Sequence, residues 1–407
     1  MTLDTAWVRA QFPAFSEPSL DGQAFFENAG GSYTCGAVID RLTRFYTQRK
    51  VQPYAPYEAS TLGGAEMDEA RTRLSAILGV EEDELSFGPS TTQNVYVLAA
   101  AFGQWLNEGD AIIVTNQDHE ANTGAWRRLA ECGIEVREWR IDPQTGVLNP
   151  DDLRPLLDGA KLLCFPHCSN VVGEINPVGE ICTMAKSAGV YTCVDGVSYA
   201  PHGLPNVDVL GADIYMFSAY KTYGPHQGIM TVRRGIGAVL PNQAHDFNGD
   251  SLYKRFTPAG PDHAQVAACA GMADYIDALY AHHNPSGTDG ALARGEAAHK
   301  LMRDHEVRIL QPLLDYVSSK NSVRLLGGAD AATRAPTVAL ELQSGGEEAA
   351  AALAPHGIMA GGGDFYAVRP LNGLGIDPAK GVLRVSFVHY TTAQEVDRLI
   401  DALDQTL

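Results

Sequence analysis

No Cys-x-x-Cys pair occurs in this chain, and its seven cysteines (Cys35, Cys132, Cys164, Cys168, Cys182, Cys193 and Cys269) are odd in number and scattered. That excludes a zinc ribbon and a disulfide framework, so no metal site is expected and the thiols read as reduced core residues of a cytosolic enzyme. No cysteine follows Cys269. No run of about 18 apolar residues is present, so no membrane span is expected. The opening stretch MTLDTAWVRAQFPAF lacks a basic start ahead of an apolar core, which argues against a signal peptide and for a cytoplasmic location. Basic residues are also in deficit: 30 Lys and Arg against 49 Asp and Glu give a formal charge of −19. Such a surface repels nucleic acid and anionic membranes, so neither is expected as a partner. Finally, no G-x-G-x-x-G follows the first strand and no Walker loop occurs, against a nucleotide-binding α/β protein.

What is present is ordinary in composition, 45% hydrophobic and 19% charged over 407 residues, enough for one large and one small domain. Short apolar runs at 84–87, 110–114, 161–165, 191–194 and 213–217 alternate with helical patterns. This predicts an α/β fold with a mostly parallel central sheet and crossover helices. A helix over 262–282 closes the large domain, and the polar stretch His282–Gly290 marks a boundary. The remainder predicts a long helix at 291–317, strands at 322–327, 335–342, 357–361 and 382–387, and helices at 346–355 and 392–406, a smaller α+β domain. The divisions are an N-terminal segment 1–34 packing with the small domain, a large domain 35–285 and a small domain 286–407. Residues 4–12 read as a short helix capped by Asp4, 35–49 and 64–78 as helices, and Tyr54–Gly64 as an irregular connection.

The stretch Tyr191–Val232 carries the chemistry. An apolar strand ends on Asp195, and Lys221 follows the next strand, between Phe217-Ser218-Ala219-Tyr220 and Thr222-Tyr223-Gly224-Pro225. A lysine amine condenses with an aldehyde, and a carboxylate can hold a pyridine nitrogen protonated, which is what pyridoxal 5′-phosphate (PLP) requires. Elsewhere, Ser90-Thr91-Thr92-Gln93 opens an apolar helix and would suit either a phosphate or a plain helix cap. His119 follows a buried strand, where open α/β sheets place ligands. Phe25–Gly31 reads as a short strand entering a tight glycine loop.

These segments resemble the class V aminotransferase superfamily, fold-type I PLP enzymes, and within it the cysteine desulfurase-like subgroup. The resemblance runs from about residue 25 to the C-terminus. Val194-Asp195-Gly196-Val197 and Ser218-Ala219-Tyr220-Lys221 match the family's V-D-G and S-x-(H/Y)-K segments. It implies that Lys221 forms the Schiff base and that Asp195 partners the pyridine nitrogen. His119 would stack on the ring, and Thr91, Thr92, Ser218 and Tyr220 would hold the phosphate. Asn170 and Ser198 would lie near the ring oxygen. On the substrate side it implies Arg384 as the carboxylate clamp, with Asn28, Ala29, Gly30 and Tyr366 nearby, and a small amino-acid substrate bound by a homodimer.

The chain departs from the desulfurase pattern where a nucleophilic cysteine would take sulfur. The corresponding stretch Gly357–Arg369 holds none, and its Gly361-Gly362-Gly363 reads as a mobile loop. The family's G-T-P motif, which completes the phosphate site from a second subunit, is also not clear near Gly260-Pro261. The expectation is a C–S (β-eliminating) lyase without the persulfide cysteine. A class V aminotransferase, an amino acid epimerase and a non-catalytic PLP-binding protein are the alternatives.

Overall fold

The computed structural model describes residues 2–406. Strand β1 (Ala24–Phe25) lies outside the central sheet. That sheet is built from β2 (Leu85–Gly88), β3 (Ala111–Thr115), β4 (Glu135–Trp139), β5 (Ala160–Pro166), β6 (Tyr191–Asp195), β7 (Ile214–Ser218) and β8 (Gly228–Val232), in the order β2-β8-β7-β6-β5-β3-β4. The five strands β4-β3-β5-β6-β7 run parallel. Strand β8 turns back antiparallel to β7 and pairs β2 the same way.

Buried strand residues alternate between two apolar layers, as the period of two demands. Ile113, Leu163, Phe165, Val194, Tyr215 and Phe217 face one core. Ile112, Val114, Leu162, Cys164, Cys193, Ile214 and Met216 face the other. The sheet is therefore covered on both faces, and its strands read as apolar runs for that reason.

A second, antiparallel sheet has the order β12-β13-β10-β9, from β9 (Arg324–Leu325), β10 (Thr337–Glu341), β12 (Gly361–Gly363) and β13 (Val382–Ser386). Its core joins Val338, Leu340, Leu383 and Val385 to Leu310, Leu313 and Leu314 of helix Ala291–Ser318 and to Leu399 and Leu403 of helix Ala393–Thr406. Strand β11 (Ile358–Met359) pairs in parallel with β1, so the N-terminal segment is stitched to this half of the chain. Helix Thr5–Ala10 is capped by Asp4, whose carboxylate accepts from Trp7 N–H. Phe12, just beyond, packs edge-on against Tyr223 and Tyr275 and equally against Tyr390.

Three expectations are corrected. Gly63 and Gly64 are not in a loop but inside helix Glu58–Leu78, where a Cβ on Gly64 would run into the Tyr54 ring. The helix expected over 262–282 is two, His263–Ala268 and Ala270–His283, meeting at Cys269. The triple glycine is strand β12, paired residue for residue with β13. Glycine carries no side-chain periodicity, so that strand had no sequence signal.

Candidate active site

The C-terminal ends of the parallel strands deliver most of the groups singled out above. Asp195 is the last residue of β6, and Ser218 the last of β7. Lys221 ends the short 3-10 turn Ala219–Lys221 that follows. His119 lies four residues past β3, and Asn170 four past β5. One cleft is lined by Thr91, Thr92, His119, Asn170, Asp195, Ser198, Ser218, Tyr220 and Lys221, with Asp118 and Cys168 beside them. A larger cavity, about 680 Å³, lies on the other flank of the Ser90 turn between Phe87, Tyr96 and Phe256. Lys221 and Asp195 line the smaller cleft and not this cavity.

At one end of the cleft, helix Thr91–Trp105 begins with Ser90 as N-cap, its hydroxyl accepting from Gln93 N–H at 3.1 Å. Thr91 and Ser218 bring their hydroxyls together at 2.9 Å. Unpaired N–H groups at a helix start, two adjoining hydroxyls and the exposed Thr92 form a seat for a dianion.

At the other end, Asp195 is buried and its carboxylate accepts from Val197 N–H at 2.8 Å. Burial pushes its pKa up to about 6 against the opposing pull of Val197 N–H and Lys221. A second buried carboxylate, Asp118, is raised well above the usual range by burial and then by Asp195. Two adjacent carboxyls cannot both ionise cheaply, so Asp118 keeps the proton and Asp195 carries the charge. Asp118 is oriented by Asn122, whose amide donates to it at 2.8 Å while accepting from the Trp126 indole at 3.2 Å. Neither Asp118 nor Asn122 stood out as functional in the sequence.

Lys221 is lowered to about 8, first by burial and then by Arg384, with Asp195 and Glu27 acting in the other direction. A substantial share of its amine is therefore neutral near physiological pH, as a nucleophile requires. His119 is depressed to about 3 by burial, Lys221 and Arg384, and its Nδ1 accepts from Ala121 N–H at 3.0 Å. The ring is neutral, with Nε2 left as its donor. Its ring centroid is 5.4 Å from that of Tyr366, the two rings tilted by 43°. Tyr220 stacks on His226 at 4.8 Å.

Arg384, on β13, is 3% exposed and donates to the Asn170 carbonyl at 3.1 Å and to Glu27 at 2.7 Å. Phe365 caps the guanidinium at 3.8 Å. The segment bearing Phe365 and Tyr366 is pinned over the cleft by two bonds, Asn170 amide to Phe365 carbonyl (3.0 Å) and Glu120 N–H to Tyr366 carbonyl (2.9 Å). Both residues have positive φ, +53° and +56°.

Asn28, Ala29 and Gly30 are less direct than the resemblance implies. Asn28 donates to the Ser386 carbonyl at 3.2 Å and accepts from Tyr390, while Ala29 N–H donates to Ser386 Oγ at 2.8 Å. Their neighbour Glu27 is the residue of that segment that meets Arg384. Glu27 and Phe365 were both missed: the Glu27–Arg384 ion pair spans 357 positions, and the Phe365 ring meets Arg384 through the tertiary fold, so neither leaves a local pattern.

The profile of the family Aminotransferase class-V matches residues 24–243. A curated relative, the aminotransferase-like protein FGM3 of Gibberella zeae, is 35% identical, the match covering 98% of each chain. The chain belongs to the class V aminotransferase family. This class V chain is also 29% identical to a cysteine desulfurase of Serratia proteamaculans, over 98% of its own length and 97% of the relative's. An apo cysteine desulfurase structure from Thermococcus onnurineus superposes with a TM-score of 0.85, at 22% identity and over 100% of this chain and 98% of the other, which shows the shared PLP fold-type I architecture.

Family membership makes this a PLP-dependent enzyme, a lyase or an aminotransferase. The residues fit that cofactor. Buried Asp118 Oδ1 and Asn170 Oδ1 have no hydrogen-bond partner within the chain, so polar contacts remain open on the cleft wall. The dianion seat, the charged Asp195 and the partly neutral Lys221 supply groups matched to the cofactor's phosphate, ring nitrogen and aldehyde. Among the described residues, no helix is long and apolar enough to cross a membrane.

Proposed function

We propose that this enzyme is a β-eliminating C–S lyase acting on an amino acid, releasing sulfur rather than passing it through a protein persulfide. When bound, PLP supplies an electron sink for negative charge developing at the substrate Cα. Asp195 would keep the charge on the ring nitrogen paired, and His119 would offer a neutral imidazole to the ring. Thr91, Thr92, Ser218 and Tyr220 would hold the phosphate, while Asn170 and Ser198 would address the ring oxygen. The Lys221 amine would be the group placed to take the Cα proton. Arg384 binds the α-carboxylate, with Asn28–Gly30 and Tyr366 bordering the substrate.

The observation that carries this reading is the state of the thiols. Cys168 is the cysteine lining the cleft, yet it is 2% exposed and burial pushes its thiol up to about 12. A thiol in that state is a poor nucleophile. Sulfur leaving the substrate therefore departs as hydrosulfide when the Cβ–S bond breaks, and hydrolysis of the remaining fragment gives pyruvate and ammonia. The holoenzyme given L-cysteine is expected to release sulfide and pyruvate in equal amounts. Alanine formed together with a protein persulfide would overturn the reading. The relative named aminotransferase-like favours a second reading, transamination. Its signature is a keto acid that accumulates only when an acceptor keto acid is supplied, with no sulfide.

The assembly we propose is a homodimer. The 680 Å³ groove beside the phosphate seat, walled by Phe87, Tyr96 and Phe256, offers an apolar face to a second copy. Sedimentation equilibrium should give twice the chain mass of 43.6 kDa. A single-chain mass at micromolar concentration would sink the dimer.

A further inference from the structure

The guanidinium assigned to the substrate carboxylate already holds one. Glu27 Oε1 lies 2.7 Å from Arg384 Nη2, while Arg384 Nη1 is spent on the Asn170 carbonyl. What remains is Arg384 Nε, buried and without a partner, and Glu27 Oε2, likewise buried and unpaired. The pair is built into the backbone on both sides. Gly361 stands opposite Arg384 in the β12–β13 ladder, and a Cβ there would collide with Glu27 Oε2. A Cβ on Gly30 would come within 2.9 Å of Glu27 Oε1. The glycines at 30 and 361 thus leave room for a carboxylate against the arginine. Phe365 closes the guanidinium face at 3.8 Å, leaving the Glu27 side as the one that opens: its side chain is 28% exposed against 4% for Arg384.

We infer that Glu27 is a specificity residue, an internal occupant of the Arg384 subsite that a substrate α-carboxylate must displace. The inference rests on the assignment of Arg384 as the carboxylate clamp and adds how that clamp discriminates. One guanidinium cannot neutralise two carboxylates, and an incoming carboxylate that leaves Glu27 in place meets its charge in a desolvated setting. Binding an α-amino acid therefore includes the cost of separating the Glu27–Arg384 pair and returning Glu27 to water. A primary amine with the same side chain and no carboxylate leaves the pair intact. Glu27 thus weakens amino acids selectively and narrows the gap between them and simple amines.

The test uses a matched pair, L-alanine and ethylamine, titrated against the holoenzyme and followed by the visible absorbance of the bound cofactor. The Glu27→Gln variant keeps the size of the side chain and removes its charge. Its affinity for L-alanine is expected to rise at least about 10-fold, worth about 1.4 kcal/mol, with ethylamine affinity within about 2-fold of wild type. Adding Arg384→Ala should abolish the gain. In parallel, propionate, a carboxylate without an amine, should raise the melting temperature of Glu27→Gln saturably and leave wild type unmoved. This arm does not depend on cofactor chemistry.

If Glu27 merely orients Arg384, Glu27→Gln will bind L-alanine more weakly than wild type and propionate will stabilise neither protein. That result overturns the inference, and so does an unchanged L-alanine to ethylamine ratio. A wild-type protein that takes up PLP without a visible band would instead sink the lysine assignment, while the propionate arm would still report on Glu27. Glu27→Ala, which removes the carboxylate altogether, should repeat the propionate effect if Glu27→Gln proves too unstable to measure.

Discussion

Replacing Lys221 by alanine is expected to lower turnover by roughly 10³-fold, within the range that a positioned acid–base group contributes. The variant should still take up PLP, because the phosphate seat at Thr91 and Ser218 and the carboxylate of Asp195 do not depend on the amine. What it should lose is the covalent link: borohydride should fix the cofactor to a peptide containing Lys221 in wild type and to no peptide in the variant. Lys221 is the one buried lysine among the described residues. Burial and then Arg384 lower its pKa to about 8, so in the cofactor-free chain its neutral fraction, and with it the rate of imine formation with added PLP, should rise through that pH until the lysine is mostly deprotonated. Wild-type turnover in Lys221→Ala would place the chemistry on another group.

Asp195→Asn is the second large effect. The isosteric amide keeps the shape and removes the charge proposed to pair with the ring nitrogen, so turnover should fall roughly 10²–10³-fold, the scale for losing one preorganised electrostatic group. PLP should remain bound. A variant with wild-type rates would remove Asp195 from that role. The same substitution has a second readout in the cofactor-free chain. The Asp195 carboxyl is raised to about 6 on folding, against about 3.9 for an unfolded aspartate. Between those values the folded chain holds a proton that the unfolded chain has released, so this group's contribution to stability is lost as pH rises from about 4 through about 6. Buried His119 acts in the opposite sense, its pKa lowered on folding, so the raw stability curve mixes both. Subtracting the Asp195→Asn curve removes the His119 contribution and leaves that of the coupled Asp195–Asp118 pair: the stability of wild type relative to the variant should decline across that window. A flat difference throughout would mean that Asp195 is not desolvated as the structure has it.

Much of the fold was legible because the central strands are buried on both faces and therefore stand out as apolar runs between helices. Strands β3, β5, β6 and β7 fall within a residue or so of the runs read from the sequence. The strand Gly228–Val232 was not anticipated, although it is fully buried. It follows directly on the lysine segment, and its antiparallel return has no local signal separate from that segment.

By itself, the sequence determined the chemistry available: an aspartate ending one strand, a lysine after the next, a hydroxyl-rich helix start, a histidine past a strand end and an arginine in a late strand. These are short-range facts, each set by a few adjacent residues. Only the tertiary structure decided their electrical state and their company. The proton on Asp118 follows from its burial and then from the proximity of Asp195, 77 positions later in the chain. Glu27 reaches Arg384 across 357 positions. Phe365 and Asn170, joined over 195 positions, close the cleft. Desolvation and Coulomb coupling act through space and depend on which groups share a buried volume, and the order of residues along the chain does not specify that.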